Sequence, residues 1–176
     1  MDDKGVTPIM TTTITSPDSA TTTAGRGLEL LFTYRVGFQL PPEVVGPVPD
    51  GLRVIFPLTG GEFVGPHLSG TIRRIGDDWL TVRQDGIGHL HLRTMLETED
   101  GAAIAYSFTG TIDLGEHGYD DLLNGRLAPD GTPFRSAVRL ETAHPAYAWL
   151  NRLQCVGIGQ VFPSHGEARC AVYALR

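Results

Sequence analysis

The stretch Asp77-Asp78-Trp79-Leu80-Thr81-Val82-Arg83-Gln84-Asp85-Gly86-Ile87-Gly88-His89-Leu90-His91-Leu92-Arg93 decides how this chain is read. Side chains of a strand alternate between its two faces. Trp79, Thr81, Arg83 and Asp85 share one parity, and Leu80 and Val82 take the other. The pattern fits a strand pair joined by a glycine-containing turn. With the turn centred on Ile87, Asp85 stands opposite His89 and Arg83 opposite His91, with Arg93 next along. One face then gathers carboxylate, guanidinium and imidazole groups. Its reverse carries Leu80, Val82, Leu90 and Leu92. Leucines inward would give a packed core behind a charged outer wall. Charges inward would give a polar cluster in a cavity.

Working outward, β-signals dominate. Leu28 to Leu40 places Leu30, Phe32, Tyr34, Val36 and Phe38 on one parity, and Leu52 to Leu58 follows. Gly60-Gly61 interrupts before Glu62-Phe63-Val64, and Leu68 to Ile75 is a further strand pattern. Beyond the opening stretch, Glu99-Asp100-Gly101 is a turn signal, and Ala103 to Ile112 is a strand. Gly115 to Gly131 reads as loop or short helix. Phe134 to Thr142, Leu153 to Phe162 and Ala168 to Leu175 close the chain as strands. About nine or ten strands with such turn spacing suit an all-β barrel or sandwich. Thr142 to Asn151, with Pro145 near its start, reads as one short helix near the C-terminus, placed to cover an end of the barrel. Residues 1–25, with Thr11-Thr12-Thr13 and Thr21-Thr22-Thr23, read as a disordered Thr-rich tail ahead of one domain over 26–176.

The chain has 176 residues, a 41% hydrophobic fraction and a net charge of −6, which suit one domain with a sizeable core. No block of lysine and arginine is present, which argues against nucleic acid as a partner. No apolar run approaches a membrane span, and the start lacks the pattern of a secretory signal, so the expected home is cytoplasmic. Cys155 and Cys170 lie on the last two strands. A hairpin around Ser164-His165 brings Cys170 near Gly159, about 13 Å along the strand from Cys155, so both are expected reduced.

A family resemblance rests on several ordered motifs. Thr59-Gly60-Gly61-Glu62-Phe63-Val64-Gly65-Pro66 with Leu68-Ser69-Gly70 resembles the TGGxFxGPxLxG segment of domain-of-unknown-function family 3237. Asp78-Trp79 with Arg83 and Asp85-Gly86 resembles its DWxxxRxDG. Thr98 to Ala102 resembles its TDDGA turn. Phe134-Arg135, Glu141-Thr142 and Tyr147 to Asn151 resemble its FR…ET…YAWLN segment. The resemblance covers Leu28 to Arg176. It implies a single closed antiparallel β-barrel with an interior cavity. It also implies, from members associated with natural-product pathways, a cofactor-free cyclase that adds a hydroxyl oxygen to a carbon–carbon double bond. The chain departs from the family's LDxRY at Leu90-His91-Leu92-Arg93-Thr94, and Gly110-Thr111-Ile112 stands where the family has GxR.

The candidate catalytic residues are Asp85, His91, Arg83 and Arg93. In an apolar lumen the arginines would pair with Asp85 and donate to a developing oxyanion. His91 titrates near neutrality and could move a proton, with Asp85 as the runner-up base. On an outer face the same groups would be weak surface pairs. Trp79, Tyr34, Tyr106 and Trp149 are the candidate substrate wall. His89 and His91 share a strand face at a spacing some metal sites use. A site would need a third ligand such as Glu62, His67, Glu97 or His144, which nothing in the sequence places there, so no metal is expected. His67, His117 and His165 read as surface residues. No dinucleotide fingerprint, nucleophile elbow, P-loop or HExxH motif occurs.

These readings converge on a cofactor-independent enzyme of small-molecule, secondary metabolism. It would cyclise or isomerise a polyketide-like or aromatic substrate by proton transfer in the barrel lumen. The alternative is a non-catalytic small-molecule-binding or carrier barrel, and a third is a structural subunit with a filled lumen. The expected partner is a small molecule, with no nucleic acid or membrane, and a homodimer through strand faces or edges suits such a barrel.

Overall fold

The structure, a computed structural model, describes residues 27–176. The expectation of a disordered tail over 1–25 lies outside the described residues. The strands are β1 (Leu28–Phe38), β2 (Glu43–Val48), β3 (Gly51–Val64), β4 (Gly70–Ile72), β5 (Asp77–Val82), β6 (Ile87–Thr98), β7 (Ala103–Asp113), β8 (Thr132–Glu141), β9 (Cys155–Phe162) and β10 (Glu167–Leu175). All pairings are antiparallel. β1 pairs with β10 on one side and β3 on the other, so the sheet closes on itself. The circuit β1-β3-β5-β6-β7-β8-β9-β10 is an eight-stranded barrel, and β2 and β4 are additional strands along β3. Eight strands give an interior that side chains fill or that holds one small ligand. One α-helix, α1 (Gly118–Leu123), lies between β7 and β8, and a 3-10 helix at Pro145–Arg152 follows β8.

Strict alternation makes these strands. β8 alternates exposed and buried residues, sending Phe134, Ser136, Val138 and Leu140 inward. β7 does the same with Ile104, Tyr106, Phe108 and Ile112. The alternation slips at two bulges, each adding a residue and bending the strand. In β1 the register shifts between Leu30 and Phe32, so Leu31 is buried beside Phe32, in place of the expected Leu30. In β3 the inward set changes from Leu52, Val54 and Leu58 to Phe63 across Gly60-Gly61. Gly60 takes a φ of 93°, a left-handed value that glycine adopts at little cost. A Cβ on Gly61 would stand 2.0 Å from the Arg35 carbonyl oxygen. The paired glycines therefore let β3 bend against β1 where the barrel closes.

The hairpin of the opening stretch differs from its expected register. Thr81 pairs with His89, and Asp77 with Arg93. Arg83 N–H donates to Ile87 O at 2.9 Å, and Gly86 N–H donates to Arg83 O at 3.0 Å. The turn thus centres on Asp85, not Ile87, with Gly86 at φ 82° supplying the left-handed position after the turn. The Glu99-Asp100-Gly101 turn forms as expected, with Gly101 N–H donating to Thr98 O at 2.9 Å. Cys170 pairs with Gly159, and both cysteines are free and buried.

The replacement Gly61→Ala should cost at least about 2 kcal/mol, because the atom it meets is backbone and cannot swing aside. Urea unfolding measures this. Thr59→Ala, an exposed change two residues away, should stay within about 0.5 kcal/mol of the parent.

Candidate active site

The barrel interior has three levels. At the end closed by the 3-10 helix, Leu68, Leu96, Ile104, Leu140 and Leu150 are buried. Asn151 holds that helix to β8, accepting from Thr142 N–H at 2.8 Å and donating to Thr142 O at 2.9 Å. In the middle the rings of Phe32, Tyr34, Phe63, Tyr106, Phe108 and Phe134 touch in series. Phe32–Phe63 centroids are 5.4 Å apart, Tyr34–Tyr106 5.8 Å and Phe108–Phe134 6.0 Å. Burial pushes both tyrosine hydroxyls well above their ordinary pKa, so they stay protonated.

At the other end a cavity of about 120 Å³ remains. Its wall is Val36, Phe56, Leu58, Leu80, Leu90 and Leu92, and its cover comes from the β7–β8 connection. Leu114, Leu122 and Leu127 of that connection face the cavity. Between Gly115 and Ala128 every backbone–backbone hydrogen bond stays within the segment. Apolar contact holds this cap down, and its ends are tied. Leu114 N–H donates to Gly86 O at 3.1 Å, and Gly131 N–H donates to Val161 O at 2.8 Å. Asp130 accepts from Ser164 N–H at 2.9 Å and also from the Ser164 hydroxyl.

The polar groups lining the cavity include Asp78, Asp121 and Arg126. Asp78 is half-buried, between Phe56 on β3 and Leu92 on β6. Its Oδ1 accepts the His91 backbone N–H at 3.0 Å. Ladder pairing of β5 with β6 lapses between Asp78 and Thr81, and the carboxylate takes the place of a backbone acceptor there. Burial raises its pKa from 3.8 to about 7, the His91 bond pulls it down, and the neighbouring Asp77 carboxylate pushes it up. A carboxyl that titrates near neutrality in an apolar pocket can give or take a proton under ordinary conditions.

The four residues expected to carry the chemistry are not brought into this cavity. Arg83, Asp85, His91 and Arg93 are exposed on the outer wall, whereas Leu80, Val82, Leu90 and Leu92 are buried inside. Arg83 and Asp85 form an ion pair, and Arg93 Nη2 lies 3.4 Å from His91 Nε2. The physical reason is desolvation: four ionisable groups keep their water outside, and four aliphatic side chains lose theirs inside. The expected wall is corrected too. Trp79 is 42% exposed on the outside, with the Arg53 guanidinium 5.8 Å from its ring centroid. Trp149 belongs to the 3-10 helix at the opposite end, half-buried beside His67. Tyr34 and Tyr106 do point inward, but into the ring column. Among the described residues no three His, Cys, Asp or Glu side chains gather closely enough to hold a metal, and His89 and His91 are both exposed. Asp78 was missed as a site residue although its signal was present: it shares the parity of Leu80 and Val82.

Two outcomes follow. The native state keeps the Asp78 proton up to about pH 7, whereas the unfolded chain releases it near 3.8. Over that interval the native state binds more protons, so this group's contribution is fully present below about pH 4 and is lost as pH rises through about 7. Urea midpoints measured across this range should fall with pH in the parent and fall less in Asp78→Asn. His91→Ala and the double replacement Arg83→Ala/Asp85→Ala should change stability by no more than about 0.5 to 1 kcal/mol, as expected of exposed groups, in the same assay.

Comparison with known proteins agrees with this architecture. A family model described as "Protein of unknown function (DUF3237)" matches residues 26–175. The UPF0311 protein RPA1785 of Rhodopseudomonas palustris is 33% identical over 119 residues, covering 64% of this chain and 74% of that protein. The crystal structure of a β-barrel-like protein from Acinetobacter baumannii AYE superposes with a TM-score of 0.72 at 32% identity, over 85% of this chain and 95% of that one. An enzyme from Penicillium herquei shares the fold at a TM-score of 0.61 and 20% identity, over 88% of this chain and 98% of that one. With the family model spanning all but the first residues and the last, and with the barrel shared by its solved relatives, the chain belongs to the DUF3237 family.

Proposed function

We propose that this barrel is a cofactor-independent enzyme that moves a proton on a small, largely apolar molecule held in the capped cavity, with Asp78 as the acid–base group. The observation that carries this reading is a carboxyl of pKa about 7 on the wall of an otherwise largely aliphatic pocket. Placing a carboxyl there costs desolvation that its bond to the His91 N–H offsets only in part, and carboxyls so perturbed cluster at functional sites. The fold neighbour described as an enzyme from Penicillium herquei supports catalysis as a use of this barrel.

The chemistry fits cyclisation or isomerisation. As a base, ionised Asp78 takes a proton from a carbon beside a carbonyl, leaving an enolate. As an acid, it returns a proton to the same carbon or to a conjugated one, which moves a double bond. In a ring closure a substrate hydroxyl oxygen bonds to one carbon of a double bond, the hydroxyl proton leaves, and the other carbon gains a proton. Each sequence is balanced without an oxidant, a reductant or a second substrate. The cavity's contribution is to exclude water and hold the reacting groups together.

The cavity is close to the roughly 150 Å³ size known to admit benzene, so the buried part of the ligand is about one ring. A larger polyketide-like molecule would extend past the cap. The apolar lining also favours a second reading, a carrier that binds such a molecule unchanged.

Proton exchange separates the two. Cyclohexanone incubated in heavy water should gain deuterium beside its carbonyl faster with the protein than without it. Asp78→Asn should slow that exchange about 10²-fold or more while ligand-detected NMR still shows binding. Binding without accelerated exchange in the parent would favour the carrier.

A further inference from the structure

We propose that Arg126 is the oxyanion anchor of this cavity, so that its ligands are small cyclic or aromatic compounds with an enolisable carbonyl or acidic hydroxyl at the rim. The inference rests on the cavity being the ligand site, and it adds a recognition group that the proton transfer alone does not require.

Arg126 stands at the cavity's rim and belongs to the cap. Its Nε and Nη2 donate to Asp121 Oδ1 at 2.9 and 2.6 Å, and its backbone N–H donates to Asp121 O at 2.8 Å. Both side-chain bonds converge on one oxygen. A guanidinium has five N–H donors in a rigid fork, so the pairing fixes the group's orientation and leaves donors over. Apart from Asp121 and Asp78, the cavity lining carries no other charge, and Phe38, Leu114, Leu127, Pro129 and Pro163 are apolar. A ligand whose ring enters the aliphatic pocket therefore leaves its polar end facing this guanidinium. Asp78 lies on the barrel wall and Arg126 on the cap, so a ring between them is addressed from two sides. An oxygen that gains negative charge when Asp78 removes a proton from the ring needs a fixed donor of this kind. Asp121 competes for the same guanidinium, which tempers the pull on a resting substrate.

4-Nitrophenol tests this, because it mimics an enolate in size and charge and its neutral and ionised forms absorb at different wavelengths. The protein is titrated with it at about pH 6, where most of the Asp78 carboxyl is protonated. The expected result is a phenolate-to-phenol ratio for bound ligand about tenfold or more above that of free ligand. Arg126→Gln should return the ratio to the free value or below it. Asp121→Asn, which removes the competing carboxylate, should raise it further. Arg126 is exposed and Asp121 half-buried, and an unchanged thermal midpoint in both variants shows the barrel intact. A bound ratio at or below the free value in the parent, or one unaffected by Arg126→Gln, overturns the anchor while leaving the cavity as a ligand site. Failure of both 4-nitrophenol and toluene to bind the parent overturns the cavity reading and the anchor together.

Discussion

Closure of the sheet between β1 and β3 is the constraint on which everything else depends. Before closure, either face of each strand could be wet. Once β1 meets both β10 and β3, one face of every strand is enclosed, and the choice of face is made for the whole circuit at once. The bend that permits it lies at Gly60-Gly61, where β3 exchanges one inward parity for the other. Without that exchange, Phe63 would leave the ring column and the two halves of β3 could not both be buried. The glycines of the Thr59-to-Gly70 segment are therefore readable as backbone geometry.

Much of the fold was legible because barrel strands carry period-two alternation, and here it is clean. β7 and β8, the Cys170–Gly159 pairing and the turn at Gly101 follow from pattern alone. Two kinds of detail were not. The bulge between Leu30 and Phe32 shifts the buried parity by one residue with no glycine or proline to mark it. The turn lies two residues before Ile87, because the left-handed position belongs to Gly86 and the pairing of Asp77 with Arg93 centres the hairpin on Asp85.

The site was less legible, and the reason is instructive. Arg83, Asp85, His91 and Arg93 drew notice because they share a face, yet sharing a face is what solvated charges on a barrel wall also do. Asp78 stood alone among aliphatic residues of its parity, which in a strand is the more informative pattern, since an isolated polar group on a buried face must be tolerated at a cost. Its hydrogen bond to the His91 N–H shows how that cost is reduced, by occupying a place in the strand ladder. What no strand pattern could reveal is the cap, because residues 114–131 carry no period-two signal and complete the cavity only in three dimensions.

That division between wall and cap separates robustness from versatility. The wall is held by strand pairing that runs around the whole circuit, so most changes there disturb many neighbours. The cap's backbone hydrogen bonds, between its tied ends, are its own. Its length and side chains can therefore change with little consequence for the barrel, since extending a surface connection adds only slowly to the entropy of closing it. One set of strands could thus enclose pockets of different size and polarity, with the wall unchanged and the lining rewritten in a single loop.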